Sequence, residues 1–409
     1  MQSEIASQFR QGVDIDEAES ILRSCVHCGF CTATCPTYQV LGDELDGPRG
    51  RIYLIKDFLA GRETSEETRE HLDSCLLCRA CETTCPSGVR YGRLVEISRR
   101  EMDRQLPRPA ADRLNRALMR QVFPYPQRLR PLLWLGQSLK EILRDDWARR
   151  IPACPDQPGE RSSPVPERPR VLLLAGCVQS VSTPNTNAAL EAILDHLGIS
   201  WRIASAAGCC GALSMHLGAE EEALGFMRRN IDAWWPWVEQ GVEAILISAS
   251  GCASMLKDYA QALRHDAQYA AKADRISALA RDPGDWLLAA GADWRFSGQT
   301  HARVALHNPC SLQHALRLQG QIEGLLRAAG YQLLPVADGH LCCGSAGSYS
   351  LLQPQMANEL RTRKLSNLQA AEPEVIATAN VGCQLHLQQE AAVPVRHWLE
   401  LLAEAVSHE

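Results

Sequence analysis

Cysteine spacing constrains this chain more than any other feature. Sixteen of the 17 cysteines in its 409 residues fall into two patterns, and each pattern is used twice. The first is C-x2-C-x2-C-x3-C-P, at "CVHCGFCTATCP" (25–36) and again at "CLLCRACETTCP" (75–86). The second is a single Cys followed 32 positions later by a Cys-Cys-Gly: Cys177 then Cys209-Cys210-Gly211, and Cys310 then Cys342-Cys343-Gly344. A last Cys follows each pair after 42 positions (Cys252) or 40 (Cys383). Agreement at intervals of this length marks an internal duplication. The remaining thiol, Cys154, stands alone in a proline-rich stretch and reads as an exposed bystander.

The flanking segments support the duplication. "RVLLLAGC" and "RVALHNPC" each read as a buried strand ending in a Cys, followed by a helical stretch, a short strand, the Cys-Cys-Gly loop, a second helix and a third strand. Strands alternating with helices predict a parallel α/β sheet in each half. In open α/β sheets, sites gather at the carboxyl edge of the strands. Four thiols far apart in sequence are therefore expected to converge in each half. The expected organisation is α+α/β: a helical two-cluster domain (1–105), a basic helical segment (106–150), a Pro-rich linker (151–170) and two α/β repeats (171–300 and 301–409). Between the N-terminal runs, "RGRIYLIKDFLAG" carries Ile52, Ile55 and Leu59 at helical spacing.

The first pattern has a specific chemistry. A loop of this spacing wraps three thiolates round one corner of a 4Fe–4S cube, and the fourth Cys, set off by the proline, reaches the other cluster. This predicts one cluster on Cys25, Cys28, Cys31 and Cys85, and a second on Cys75, Cys78, Cys81 and Cys35. Zinc is the alternative, but it usually takes two well-separated Cys pairs. In the α/β repeats, Cys310, Cys342, Cys343 and Cys383 are candidates for a further cluster, as are Cys177, Cys209, Cys210 and Cys252. Adjacent cysteines are awkward for an ordinary cube, so an unusual cluster or a thiol-based redox site is the expectation. The plainer alternative is that some of these cysteines are buried apolar residues. The second repeat is the preferred location, because His307, His340 and His386 lie near its cysteines in sequence.

The formal net charge of −6 gives no argument for nucleic-acid binding. Residues 90–150, however, carry 15 Lys/Arg against 7 Asp/Glu. That asymmetry fits docking to an acidic partner or an anionic membrane surface, and equally a helix packed on its own domain. "DAWWPW" (232–237) is similarly open between core and interface. The polar opening residues lack an export signal, and no run approaches the ~18 apolar residues of a spanning helix. A cytoplasmic location is expected, and there thiols stay reduced, so metal or redox roles are favoured over disulfides. No dinucleotide fingerprint, phosphate loop or nucleophile elbow is present. The chain has parts for carrying electrons and no evident catalytic residues for substrate chemistry.

Two such runs followed by two Cys-Cys-Gly repeats resemble a group of iron–sulfur redox subunits. The group includes those of anaerobic glycerol-3-phosphate dehydrogenase, L-lactate utilisation proteins and heterodisulfide reductase. "CVHCGFCTATCPTYQVLGDELDGPRGRIYLIK", "CETTCPSGVRY", "NIDAWWP", "HLCCGSAGSY" and "VRHW" are most similar to the iron–sulfur subunits of bacterial glycolate oxidases. The resemblance implies a flavin-binding partner that oxidises glycolate to glyoxylate, with D-lactate as a further substrate, and a second flavoprotein-like subunit. It implies electron relay toward the quinone pool, with the chain peripheral on the inner face of the cytoplasmic membrane through its complex. The repeats depart from the heterodisulfide-reductase pattern, which ends in C-x-x-C: here that place reads "CASM" and "CQLH". The alternatives are a thiol–disulfide redox enzyme, or the iron–sulfur subunit of another 2-hydroxy-acid or glycerol-3-phosphate dehydrogenase.

Overall fold

The computed structural model describes residues 3–12, 14–62, 65–142, 148–149, 151–153, 167–291 and 300–406. Cys154, Trp147 and most of the 151–170 stretch lie outside the described residues.

The N-terminal part is helical. Helices Ile15–Ser24, Pro48–Leu59, Glu66–Asp73 and Tyr91–Gln105 pack together. Pro48 opens its helix at a position where the missing N–H costs nothing, and Ile52, Ile55 and Leu59 face inward as their spacing requires. Ser65 caps the next helix by accepting from the Thr68 N–H. Their shared core of Leu22, Ile55, Leu59, Leu72, Leu94 and Ile97 also takes in Cys25 and Cys81, with Cys31, Cys75 and Cys85 at its margin. Both cysteine loops therefore rest on one apolar floor.

Two four-stranded parallel sheets follow. The first is built from β1 (Val171–Leu173), β2 (Trp201–Ile203), β3 (Ala244–Leu246) and β4 (Ala280–Arg281), in the order β2-β1-β3-β4. The second repeats that order as β6-β5-β7-β8, from β5 (Arg303–His307), β6 (Gln332–Leu334), β7 (Val375–Thr378) and β8 (Val395–His397). The sequence pattern gave three strands per half; the structure adds a fourth at one edge of each sheet. β4 and β8 follow the last Cys of their half, outside the Cys-anchored segments from which the other strands were read.

The halves interlock. Helix Pro184–His196 of the first packs on Trp398–Val406 of the second, and Leu190, Ile193, Trp398, Leu399 and Leu402 share one core. The Ser250 N–H donates to the Ala379 carbonyl, and buried His397 bonds the Ser248 carbonyl. "DAWWPW" resolves as core: Trp234 is fully buried in helix Glu220–Glu239, with Trp235 and Trp237 at the edge of the same cluster.

The basic segment forms helices Ala110–Val122 and Pro126–Ser138. Many of the arginines of residues 90–150 have their acidic partners in this chain. Arg93 and Arg100 pair with Asp14, Arg100 also with Glu220, Arg108 and Arg116 with Asp73 and Asp112, and Arg120 with Glu222. The apolar side is less well covered. Trp134 is 67% exposed and Ile142 82%, with Leu114, Leu118 and Leu132 also exposed.

Candidate metal centres

The two N-terminal loops share an unusual backbone. His27 and Gly29 in the first have positive φ, and so do Leu77 and Arg79 at the matching positions of the second. Non-glycine residues seldom adopt this conformation, and when they do the surrounding structure over-determines it. Here it recurs at equivalent positions of the two loops, two and four residues after the first Cys of each run. It also aims a backbone N–H at the first sulfur of each run: Leu77 N–H donates to Cys75 Sγ at 3.4 Å, and the His27 N–H bonds the Cys25 thiol.

The interleaved sets predicted from spacing come together in space. Cys25, Cys28, Cys31 and Cys85 line one pocket, closed by Val26, Ile52 and Val89. Burial pushes the Cys31 thiol up to about 11, helped by Cys25, Cys28 and Cys85. Cys35, Cys75, Cys78 and Cys81 interact as a second group: burial drives Cys81 well up, and Cys78, Cys75 and Cys35 add to it. Cys81 also lines the first pocket, so the two groups adjoin. Thiols that hold one another protonated ionise together only beside a cation, which is what an iron–sulfur core provides. The donor sets fit such clusters.

The stretch "TYQVLGDELDGPRGR" proves to be a bracket round Cys35. Arg51, 1% exposed, donates to Thr37 Oγ1, Asp46 Oδ1, Ser74 Oγ and the His71 carbonyl. Thr37 in turn sits 3.2 Å from Cys35 Sγ. Arg51 thus ties the chain after the first run to the residue before Cys75 and sets a fixed positive charge beside the second thiol group.

In each α/β repeat the four thiols also converge. Cys177, Cys209, Cys210 and Cys252 form a hydrogen-bonded series, in which bonds from Cys177 and Cys210 hold Cys209 down to about 4. In the second repeat the series is Cys310, Cys342, Cys343 and Cys383, all buried. Cys342 is pushed up to about 12: the bond from Cys310 lowers it, but the bond to Cys343 and burial outweigh that. The third residue of each Cys-Cys-Gly is fixed by geometry. Gly211 and Gly344 both have φ of 90°, and each donates its N–H to the first Cys of its pair, at 3.5 and 3.4 Å. A Cβ on Gly344 would lie 2.4 Å from the Ala357 carbonyl oxygen.

One contact was not foreseen. The Cys310 thiol is hydrogen-bonded to Cys78 as well as to Cys342. Around it, Leu76, Tyr349, Ala357 and Leu360 pack the second cysteine run against the second repeat, and Tyr349 Oη donates to the Ser74 carbonyl at 2.9 Å. A continuous line of thiols therefore runs from the first pocket through Cys81 and Cys78 to Cys310. The first repeat is instead joined to the helical part through ion pairs such as Arg79–Asp258.

The three nearby histidines separate. His340 is exposed, and His386 bonds the Ala357 carbonyl within its own repeat. His307 alone of the three lies among the thiols, its ring nitrogen grouped with Cys343 and Cys383. Sequence reasoning did not single out Arg51, nor Asn230, which bonds both the Gly208 N–H and the Cys209 carbonyl.

Comparison with known proteins agrees with this arrangement. Residues 21–89 match the family model of a 4Fe-4S dicluster domain, and 171–257 and 304–388 match that of a cysteine-rich (CCG) domain. The chain is 49% identical to the "Glycolate oxidase iron-sulfur subunit" of Escherichia coli, over the full length of both. It is 28% identical to the "Probable glycolate oxidase iron-sulfur subunit" of Bacillus subtilis, covering 99% of this chain and 98% of that one. Over 57% of its length it is 24% identical to "Lactate utilization protein A" of Geobacillus kaustophilus, spanning 98% of that protein. With paired four-thiol groups, duplicated Cys-Cys-Gly sheets and full-length similarity, this chain belongs to the family of glycolate oxidase iron–sulfur subunits.

Proposed function

We propose that this chain is the electron-carrying subunit of a glycolate-oxidising complex, taking electrons from a flavin-binding partner and relaying them toward quinone. D-lactate is a further candidate substrate of the complex, and a second flavoprotein-like subunit a further partner. Residues 1–105 act as the two-cluster unit, with one cluster on Cys25, Cys28, Cys31 and Cys85 and the other on Cys75, Cys78, Cys81 and Cys35. The second repeat holds a further centre on Cys310, Cys342, Cys343 and Cys383. The first repeat offers the corresponding set Cys177, Cys209, Cys210 and Cys252. When bound, iron–sulfur clusters accept and release single electrons at potentials set by ligands, hydrogen bonds and burial.

The observation that carries this reading is the adjacency of the thiol groups: Cys81 of the second lines the pocket of the first, and Cys78 packs with Cys310 and Cys342 of the second repeat. Its residues have defined tasks. The apolar floor packs against the thiols while leaving Cys28 exposed, the loop N–H groups donate to Cys25 and Cys75, and Arg51 offsets negative charge beside the second group. No described helix is long and apolar enough to cross a membrane. Contact with membrane quinone is therefore assigned to a peripheral position reached through the complex, on the cytoplasmic side.

The test is anaerobic iron and sulfide analysis with EPR, on the wild type and Cys85→Ser. The variant is expected to lose about four iron atoms per chain and to keep the signal of the Cys75 group. Loss of both signals, or of neither, sinks the crossed ligand assignment. Deleting the chain is expected to abolish quinone-linked glycolate oxidation; undiminished oxidation by the flavin subunits alone refutes the relay.

A further inference from the structure

We propose that the second repeat holds a centre of mixed thiolate–imidazole ligation, with His307 as its nitrogen ligand beside Cys343 and Cys383. This rests on the reading that the cysteines of that repeat bind iron. His307, Cys343 and Cys383 each offer one ligand atom, and these atoms lie within 4.8 Å of one another with all three residues buried. His307 is 2% exposed, and among the described residues neither of its ring nitrogens has a hydrogen-bond partner. A buried imidazole with both nitrogens idle is a costly arrangement in a folded protein. Metal ligation by one nitrogen relieves it.

The strand directs the ring to the thiols. Along β5, Val304 and Leu306 point into the core shared with Trp398, whereas Ala305 packs with Cys343 and Cys383 on the other face. Strand alternation puts His307 on that second face. Thr378, its register partner on β7, is also buried there with an unpartnered hydroxyl. The Lys364 ammonium is near enough to act on the ring and on Cys310, Cys342 and Cys343, supplying positive charge for several thiolates.

The duplication provides an internal control. Aligning "RVLLLAGC" with "RVALHNPC" places Leu174 where the second repeat has His307. Leu174 lies on the equivalent face, packed with Cys210 and Cys252. The first repeat thus presents thiols and a leucine, and the second thiols and an imidazole. Thiolate plus imidazole donors suit iron, and replacing thiolate by histidine at an iron–sulfur centre raises its potential. Because Cys310 touches Cys78, the higher-potential site is also the one joined to the N-terminal thiol line. It is the natural electron sink of the chain.

The test uses the full chain, purified anaerobically with 15N-labelled histidine, and compares wild type, His307→Cys, Leu174→His and Cys343→Ser. Hyperfine spectroscopy of the oxidised and reduced states is expected to detect a directly bound histidine nitrogen in the wild type. That coupling should vanish in His307→Cys, with iron content retained and the midpoint potential of this centre lowered. Leu174→His should leave the coupling as it is. Iron that falls in Cys343→Ser, but shows no histidine coupling and no potential change in His307→Cys, overturns the imidazole ligand and leaves the cluster reading standing. Iron content that is the same in wild type and Cys343→Ser overturns both. The signals of the two N-terminal clusters report whether each variant has folded.

Discussion

At the scale of single residues, the cysteines carry the chemistry and a few neighbours decide whether they can meet. Gly344 is the clearest case. Its φ of 90° disfavours any side chain, and an added Cβ would fall 2.4 Å from the Ala357 carbonyl oxygen, a backbone atom that cannot swing aside. Gly344→Ala is therefore expected to destabilise the chain by about 2–4 kcal/mol, with Cys342 losing the N–H it accepts. Thermal unfolding of the apo chain gives the first number, and the EPR signal of the second repeat gives the second effect. An alanine variant with unchanged melting and signal would remove the geometric account of the Cys-Cys-Gly motif. The grouping of thiols was legible in part: spacing led to the expectation of the sets Cys25/Cys28/Cys31/Cys85 and Cys75/Cys78/Cys81/Cys35, since covalent distance limits which thiols one loop can bring together, and the proposed cluster ligation rests on that expectation. The separation of His307 from His340 and His386 was not legible, because it depends on which sheet face each ring occupies and what already satisfies it.

At the scale of elements, helix N-termini show where charge is tolerated. Asp282 caps helix Pro283–Ala289, its Oδ1 accepting the Gly284 N–H, but its Oδ2 is buried without a partner. Burial outweighs the Gly284 and Asp285 N–H bonds and raises this carboxyl to about 7. A carboxyl with a folded pKa above its unfolded value stabilises the fold when protonated, so the benefit is complete below about pH 4 and is lost as pH rises through 7. Asp282→Asn keeps the cap, since asparagine is an equally good N-cap residue, and removes the ionisation. It should raise stability by about 1–3 kcal/mol at pH 8 and by little at pH 4, read from denaturant unfolding at both pH values. A gain independent of pH would sink this account. The duplication itself was visible in the sequence, because its strands end in cysteines at matched intervals. The edge strands β4 and β8 escaped notice because they come after the last Cys of each half, outside the repeated segments, where no matched interval drew attention to them.

At the scale of the whole molecule, the charge asymmetry changes meaning. The excess of arginine in residues 90–150 left two readings open, an outward-facing basic surface or helices packed on their own domain. Much of it is consumed within the chain: Asp14, Asp73 and Asp112 take it up inside the helical part, and Glu220 and Glu222 tie Arg100 and Arg120 to the first repeat. Beside exposed Arg113, Arg128 and Arg130, the segment leaves several large apolar side chains outward, among them Leu114, Leu118, Leu132, Trp134 and Ile142. Isolated exposed side chains need no explanation, but several large ones in one segment are what a contact surface requires. If the flavin-binding partner proposed above docks here, burial of these side chains rather than charge holds it. Two outcomes are expected. Association should survive salt concentrations that screen exposed ion pairs, because Debye screening at about 1 M reaches only ~3 Å. A Trp134→Ser, Ile142→Ser variant should weaken association by about 2–4 kcal/mol, on the order of 30- to 1,000-fold, since large apolar anchors dominate interface energies. Co-purification and sedimentation of the complex read both. A complex that falls apart in salt, yet tolerates the double substitution, would place the partner on a charged surface elsewhere and leave the exposed helices without this role.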